Sequence, residues 1–184
     1  RDAAPTENVE AYEFYLQARA IWKRRGEESL RRAVELYQSA LARDPGVARA
    51  YAALASAYVV LPGYSGEEGD EDKYLPMAEQ SARQALALDP KIGEAHAVLA
   101  QINSERGNLL DAESGFFFAI SLEPNEPTPH HWYSILLQKV GRLEAALEQA
   151  RAAYELDPSA PVHATNLANV YLMRGDDEQA LRYA

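Results

Sequence analysis

The chain has 184 residues, 47% hydrophobic and 25% charged, which is typical of a folded soluble domain rather than a disordered segment. Its net charge of −10 argues against nucleic-acid binding, and its lack of cysteine excludes disulfides and thiolate metal sites. The longest nearly unbroken apolar run, Tyr51–Leu61, is shorter than the roughly 20 residues that a membrane-spanning helix needs. We therefore expect no membrane partner.

The N-terminal part of the chain predicts two helices after a short polar linker at residues 1–8. The first is expected from Val9 to about Arg25 and the second from Leu30 to about Ala42, because apolar residues recur there at helical spacing. Asp44-Pro45-Gly46 ends the second helix, since proline cannot continue the hydrogen-bond ladder. No signal peptide is visible, but Arg1 is not an initiator methionine, so a removed targeting segment is left open.

The most informative feature is an internal repeat. The stretch Gly107–Pro124 recurs 34 residues later as Gly141–Pro158, and a third copy begins at Gly175. A fixed period of this length indicates stacked copies of one helical unit. We divide the chain into an irregular first repeat, three full repeats and a partial fifth, at residues 9–47, 48–92, 93–126, 127–160 and 161–184.

The second repeat is longer than the others because of an acidic insert at residues 62–72. Its glycines and five acidic residues predict a solvated loop between the two helices of that repeat. The acidic residues do not match the ligand positions of an EF-hand, so we expect no calcium site.

Small residues recur at fixed places in the second helix of each repeat. They allow helix axes to approach to about 8–10 Å, so antiparallel helix pairs can stack into a continuous core. The two alanine places are Ala33, Ala78, Ala112, Ala146 and Ala180, and then Ala40, Ala85, Ala119 and Ala153.

The repeat resembles the tetratricopeptide repeat (TPR) family over nearly the whole chain. The family's small-residue, glycine, alanine and proline places are filled in the third repeat by Ala100, Gly107, Ala112, Ala119 and Pro124, and in the fourth by Ser134, Gly141, Ala146, Ala153 and Pro158. Departures are His96 and His130, where the family often has tryptophan, and Asn103, where it has tyrosine. The resemblance implies an all-α fold, a right-handed α-α superhelix (TPR solenoid) of antiparallel helix pairs.

The resemblance also implies a non-catalytic scaffold that binds a protein or peptide in a concave groove lined by the first helix of each repeat. The expected exposed groove residues are Arg49, Ala52, Ser56, Val59, Glu94, Ala97, Gln101, Ser104, Thr128, His131, Ile135, Gln138, Val162, Thr165, Asn169 and Leu172. Some relatives clamp a C-terminal carboxylate with lysine, asparagine and arginine. Because this set contains no lysine, we expect a peptide or helix held by apolar and amide contacts instead.

Two shorter stretches support an alternative. Tyr15–Trp22 and His130–Tyr133 are similar to TPR segments of bacterial signalling proteins, including winged-helix transcription regulators and adenylate cyclase-like proteins. The alternative is therefore a regulatory segment of a larger protein, which can also self-associate through the ends of the solenoid. We expect the natural chain to continue beyond Ala184, because the fifth repeat stops in mid-helix, and we assume a cytoplasmic location.

Catalytic and metal-binding motifs are weak. His130 and His131 suggest a zinc or acid–base site, but adjacent residues on a helix point about 100° apart, so the two rings cannot easily share a metal. We favour packing for His130 and Trp132, with His131 facing the groove. The sequence has no phosphate-binding loop, nucleophile elbow or HExxH motif. We therefore predict no enzyme activity, no cofactor and no metal in this part of the protein.

Overall fold

The computed structural model describes residues 6–184, which form helices and connecting turns without a β-strand. The helices are α1 (Val9–Trp22), α2 (Glu27–Arg43), α3 (Ala48–Val60), α4 (Pro62–Ser65), α5 (Asp70–Leu88), α6 (Gly93–Glu105), α7 (Leu109–Leu122), α8 (Pro127–Lys139), α9 (Leu143–Leu156), α10 (Pro161–Met173) and α11 (Asp177–Tyr183). Within these described residues, no helix is long and apolar enough to cross a membrane.

The helices stack as antiparallel pairs in the all-α superhelix that the resemblance implies. The pairs are α1/α2, α3/α5, α6/α7, α8/α9 and α10/α11, and the second helix of each pair packs on the first helix of the next. First helices also contact one another along the array, from α3 to α6, α8 and α10. The first helices therefore form one wall, the concave face.

The boundaries of the first two helices differ from the prediction. Part of the linker predicted at residues 1–8 lies outside the described residues, but Asn8 caps α1 by accepting a hydrogen bond from the Ala11 N–H at 3.0 Å. The first helix ends at Trp22 rather than Arg25, because Arg25 and Gly26 adopt positive φ angles of 57° and 84°. The second begins at Glu27 rather than Leu30, since an acidic first turn is favourable at a helix N-terminus.

Aspartate-proline joints set the spacing between repeats. Asp44, Asp89 and Asp157 each follow the last residue of a second helix. The Oδ1 atom of each accepts a hydrogen bond from the backbone N–H two residues further on, at 2.9, 2.9 and 3.3 Å. These turns mimic a backbone turn and satisfy backbone N–H groups of the joint. The next first helix then begins four residues after each aspartate.

The core consists of small residues at helix crossings and large side chains between them. Phe116 is fully buried and Tyr37 is 1% exposed. Full burial of such a side chain contributes about 1.5–3 kcal/mol. The crossings are tight: a Cβ atom added at Gly115 would lie 2.9 Å from the Cβ of Ala100. The recurring alanines are all buried, so they serve the packing role that the sequence predicted.

The acidic insert is only partly the loop that we expected. Pro62 is the first residue of the short helix α4, and Asp70 begins α5, so only residues 66–69 connect them. Proline is favourable at the first helical position, and Asp70, Glu71 and Asp72 are favourable beside the positive end of α5. The insert therefore extends the helical structure of the second repeat.

Candidate functional site: the concave face

Many of the expected groove residues are less exposed than their positions suggested. Seven are buried: Ala52, Ser56, Glu94, Ala97, Ser104, Thr128 and His131. Five are partly exposed: Val59, Gln101, Ile135, Gln138 and Val162. The remaining four are exposed: Arg49, Thr165, Asn169 and Leu172. The expectation of exposure is therefore wrong for these seven buried residues. Neighbouring first helices pack closely, and side chains of α1 lie across them.

Basic side chains of α1 and its C-terminal end reach across the concave face to later repeats. Arg19 pairs with Glu94 of α6 at 3.2 Å and with Glu126, just before α8, at 3.7 Å. Lys23 pairs with Asp157, at the joint before α10, at 2.8 Å. The first repeat therefore contacts the third and fourth repeats directly, instead of only its neighbour.

These ion pairs belong to a larger buried network. Glu94 is 4% exposed, and its Oε1 accepts a hydrogen bond from the Ser56 hydroxyl at 2.9 Å. The Glu94 backbone N–H donates to Glu123, which also pairs with Arg49 at 2.8 Å. Because Arg49 is held in this way, it is not a free cation for a ligand. Removal of one partner from such a buried pair leaves an uncompensated charge, which is costly.

Glu126 is the member of this network with the most altered acidity. Its pKa is raised to about 7, chiefly by burial; Glu94 and Glu123 also raise the pKa, whereas Arg19 and Arg49 lower it. At neutral pH this carboxyl group is therefore only partly ionised. Its charge therefore responds to pH in the physiological range.

Two cavities lie beside the end of α1. The first, of about 190 Å³, is lined by Trp22, Lys23, Arg25, Glu126, Asp157 and His163 among others. The second, of about 310 Å³, is lined by Arg25, Tyr64, Leu75, Trp132, Glu71 and Glu105, together with five expected groove residues, Val59, Gln101, His131, Ile135 and Val162. Arg25 and Val162 line both, so the two cavities adjoin at these residues.

Three of the four histidines tie a first helix to the joint before it. His96 lies 2.9 Å from the Pro90 carbonyl, His130 lies 3.1 Å from the Pro124 carbonyl, and His163 lies 3.0 Å from the Asp157 carbonyl. A carbonyl oxygen can only accept, so the facing ring nitrogen carries the hydrogen. His131 differs, because it makes no such hydrogen bond among residues 6–184; its ring lies 5.3 Å from that of His163. Residues 6–184 contain no group of three or more metal-ligating side chains.

Sequence reasoning missed the residues that α1 contributes to this face, above all Arg19, Lys23 and Arg25. They stand outside the repeat pattern, because the first repeat is irregular. One signal could have found them: the run Lys23-Arg24-Arg25 concentrates positive charge in a chain of net charge −10. Glu126 and Asp157 line the same cavity as Lys23 and Arg25.

Comparison with solved structures identifies the architecture. The structure aligns with a thermophilic TPR protein of Thermus thermophilus over 90% of this chain and 84% of that one, with a TM-score of 0.68 and 24% identity. The chain has the tetratricopeptide repeat fold. YrrB, a TPR protein with an unusual peptide-binding site, aligns over 98% of this chain and 90% of its own, with a TM-score of 0.50 and 22% identity. PilF of Pseudomonas aeruginosa aligns over 95% and 73%, with a TM-score of 0.58 and 18% identity.

Sequence comparison adds little to the TPR assignment. A segment of 71 residues is 38% identical to the protein O-mannosyl-transferase Tmtc1 of Drosophila melanogaster. The match covers 38% of this chain but only 8% of that protein. No protein-family model matches the chain. The TPR fold therefore rests on the structural similarity and the internal repeat.

Proposed function

We propose that this TPR array is a non-catalytic scaffold that binds a segment of another protein on the part of the concave face that α1 leaves open. The observation that carries the proposal is the cavity of about 310 Å³, which gathers Val59, Gln101, Ile135 and Val162 from four successive repeats. A partner segment that crosses this cavity would contact every repeat from the second to the fifth.

The lining of the cavity indicates the chemistry of the partner. Val59, Leu75 and Ile135 offer apolar walls, whereas Glu71 and Glu105 place carboxylates at the same site. A partner segment with an apolar anchor side chain and a neighbouring basic residue would match both features. The net charge of −10 on the TPR chain would also attract such a segment. The TPR fold supports this proposal, since YrrB shares it and has a peptide-binding site.

A selection experiment tests the proposal. Random peptides displayed on phage are selected on the 184-residue chain, and the enriched sequences are measured by fluorescence anisotropy. Ile135→Ala should weaken their binding about tenfold, because it removes an apolar wall from the anchor site. The matched control is Leu110→Ala on α7, a side chain that is 81% exposed and lies outside the cavity. Absence of enriched peptides, or equal loss in both variants, would count against the groove.

Self-association is a second candidate, because apolar side chains are exposed at the α10–α11 end. Leu172, Met173 and Leu181 are 54%, 52% and 78% exposed, respectively. Light scattering over a range of protein concentrations tests this candidate, and a constant monomeric mass would exclude it.

A further inference from the structure

Arg25 occupies an unusual position at the turn between α1 and α2. Its φ angle of 57° is uncommon for a residue other than glycine. Its guanidinium carbon lies 3.7 Å from the centre of the Trp22 ring, which is a cation–π contact. The side chain lines both cavities of the concave face. The turn therefore holds a cation where the two cavities meet.

Three buried nitrogen atoms, on residues that line one or both of these cavities, have no hydrogen-bond partner among residues 6–184. They are Nε of Arg25, Nε1 of Trp22 and Nδ1 of His131. Trp22 and His131 are only 8% and 9% exposed. The arginine and tryptophan nitrogens can only donate hydrogen bonds, and a neutral imidazole can donate one. Buried donors without acceptors are costly, so this cluster lacks an acceptor group that would complete it.

Arg25 also forms no ion pair among residues 6–184, unlike Arg19 and Lys23. Arg19 pairs with Glu94 and Lys23 pairs with Asp157. No described carboxylate is hydrogen-bonded to Arg25, and burial lowers its pKa to about 10, so it remains protonated at neutral pH. Water could satisfy the unpartnered donors, but only an anion would also balance this charge.

We propose that Arg25, Trp22 and His131 form a binding site for one carboxylate group. Arginine presents a planar pair of donors that matches the two oxygens of a carboxylate. A single negative charge fits better than a phosphate dianion, because Glu126 and Asp157 line the adjoining cavity. The groove positions Arg49 and Asn169 take no part, and the site does not depend on the peptide-binding proposal.

The two tryptophans of the chain make the site observable by NMR, since each gives one indole N–H resonance. Acetate is titrated into the ¹⁵N-labelled chain at constant ionic strength near neutral pH. We expect a saturable downfield shift of the Trp22 indole resonance, because its N–H gains an oxygen acceptor. The backbone amide of Glu148, an exposed residue of α9 that lines neither cavity, serves as an internal reference.

Matched variants distinguish a specific carboxylate site from general charge attraction. Arg25→Gln should weaken acetate binding at least about tenfold, since it removes a charge-assisted contact. Arg24→Gln removes the same charge one residue away, on an exposed side chain, and should leave the affinity unchanged. Trp22→Phe keeps the ring but removes the donor, so it should weaken binding a few-fold when followed through backbone amides. Because this variant keeps the packing, it tests the site even where Arg25→Gln perturbs the turn.

The source of the carboxylate is distinguished by a second comparison. Acetyl-Gly-Gly with a free C-terminus is compared with its amide and with acetate. Tighter binding of the free acid than of acetate identifies a peptide terminus as the ligand, and equal binding identifies a small carboxylate. Absence of a saturable shift, equal weakening by Arg24→Gln and Arg25→Gln, or tighter binding of phosphate than acetate under mildly alkaline conditions would overturn the proposal.

Discussion

Replacement of Glu126 by glutamine tests the buried charge network most directly. Glu126 precedes α8, and its side chain is 20% exposed and lies 3.7 Å from Arg19. Burial raises its pKa from the ordinary 4.5 to about 7. The folded protein therefore binds this proton more tightly than the unfolded chain does. Glutamine has the shape of the protonated acid but never ionises, so Glu126→Gln isolates the cost of the charge.

The magnitude follows from linkage. The stability that this group contributes is fully present below pH 4.5, falls as the pH rises towards 7, and is lost above it. The difference between the two pKa values, at 1.36 kcal/mol per pH unit, corresponds to about 3 kcal/mol. Glu126→Gln should thus match the wild type near pH 4.5 and unfold with a free energy about 3 kcal/mol higher above neutral pH.

Urea unfolding followed by circular dichroism, at pH values from mildly acidic to mildly alkaline, measures this difference. Burial lowers the pKa values of His131 and His163, so these two groups make stability rise with pH, opposite to Glu126. Comparing the variant with the wild type at each pH cancels this histidine contribution. Glu148→Gln, an exposed site on α9, is the control and should stay within about 0.5 kcal/mol of the wild type throughout. A difference that does not change with pH, or a variant less stable above neutral pH, would refute the reasoning.

Two further substitutions test contacts that position the concave face. Arg19→Met should lower the free energy of unfolding by about 3–5 kcal/mol in urea titrations, since it leaves the buried Glu94 carboxylate without its cation; a loss below about 1 kcal/mol would contradict this. Gly93→Ala should cost about 1–3 kcal/mol, because its Cβ would lie 2.7 Å from the Ala119 carbonyl oxygen. Its control is Gly63→Ala, where the added Cβ meets open space and the melting temperature should not fall.

The sequence predicted helix positions and helix crossings well, because both depend on contacts between neighbouring repeats. The period of 34 residues placed the starts of the last three first helices, and α6, α8 and α10 do begin at Gly93, Pro127 and Pro161. The recurring alanines identified the helix crossings, and the resemblance gave the fold. These features are local or periodic, so each copy of the repeat reinforces the same prediction.

The degree of exposure on the concave face could not be predicted in the same way. It depends on the curvature of the superhelix, which accumulates from a small rotation at every repeat. The hydrogen bond from Arg19 to Glu94 joins residues 75 positions apart, and no period marks either one. Glu94 was expected on an exposed groove face, but this contact across the groove makes it part of the interior.

The contacts made by the first repeat change what kind of binding surface this array presents. In an open solenoid each repeat contacts only its neighbours, and a ligand contacts a series of similar surfaces, one from each repeat. Here Arg25 from the first repeat, Val59 from the second, Gln101 from the third, Ile135 from the fourth and Val162 from the fifth line one cavity. Removing any single repeat would therefore remove one wall of the cavity and, for the first, the cation as well. The site is a property of the whole array, which is why no single repeat carries a motif for it.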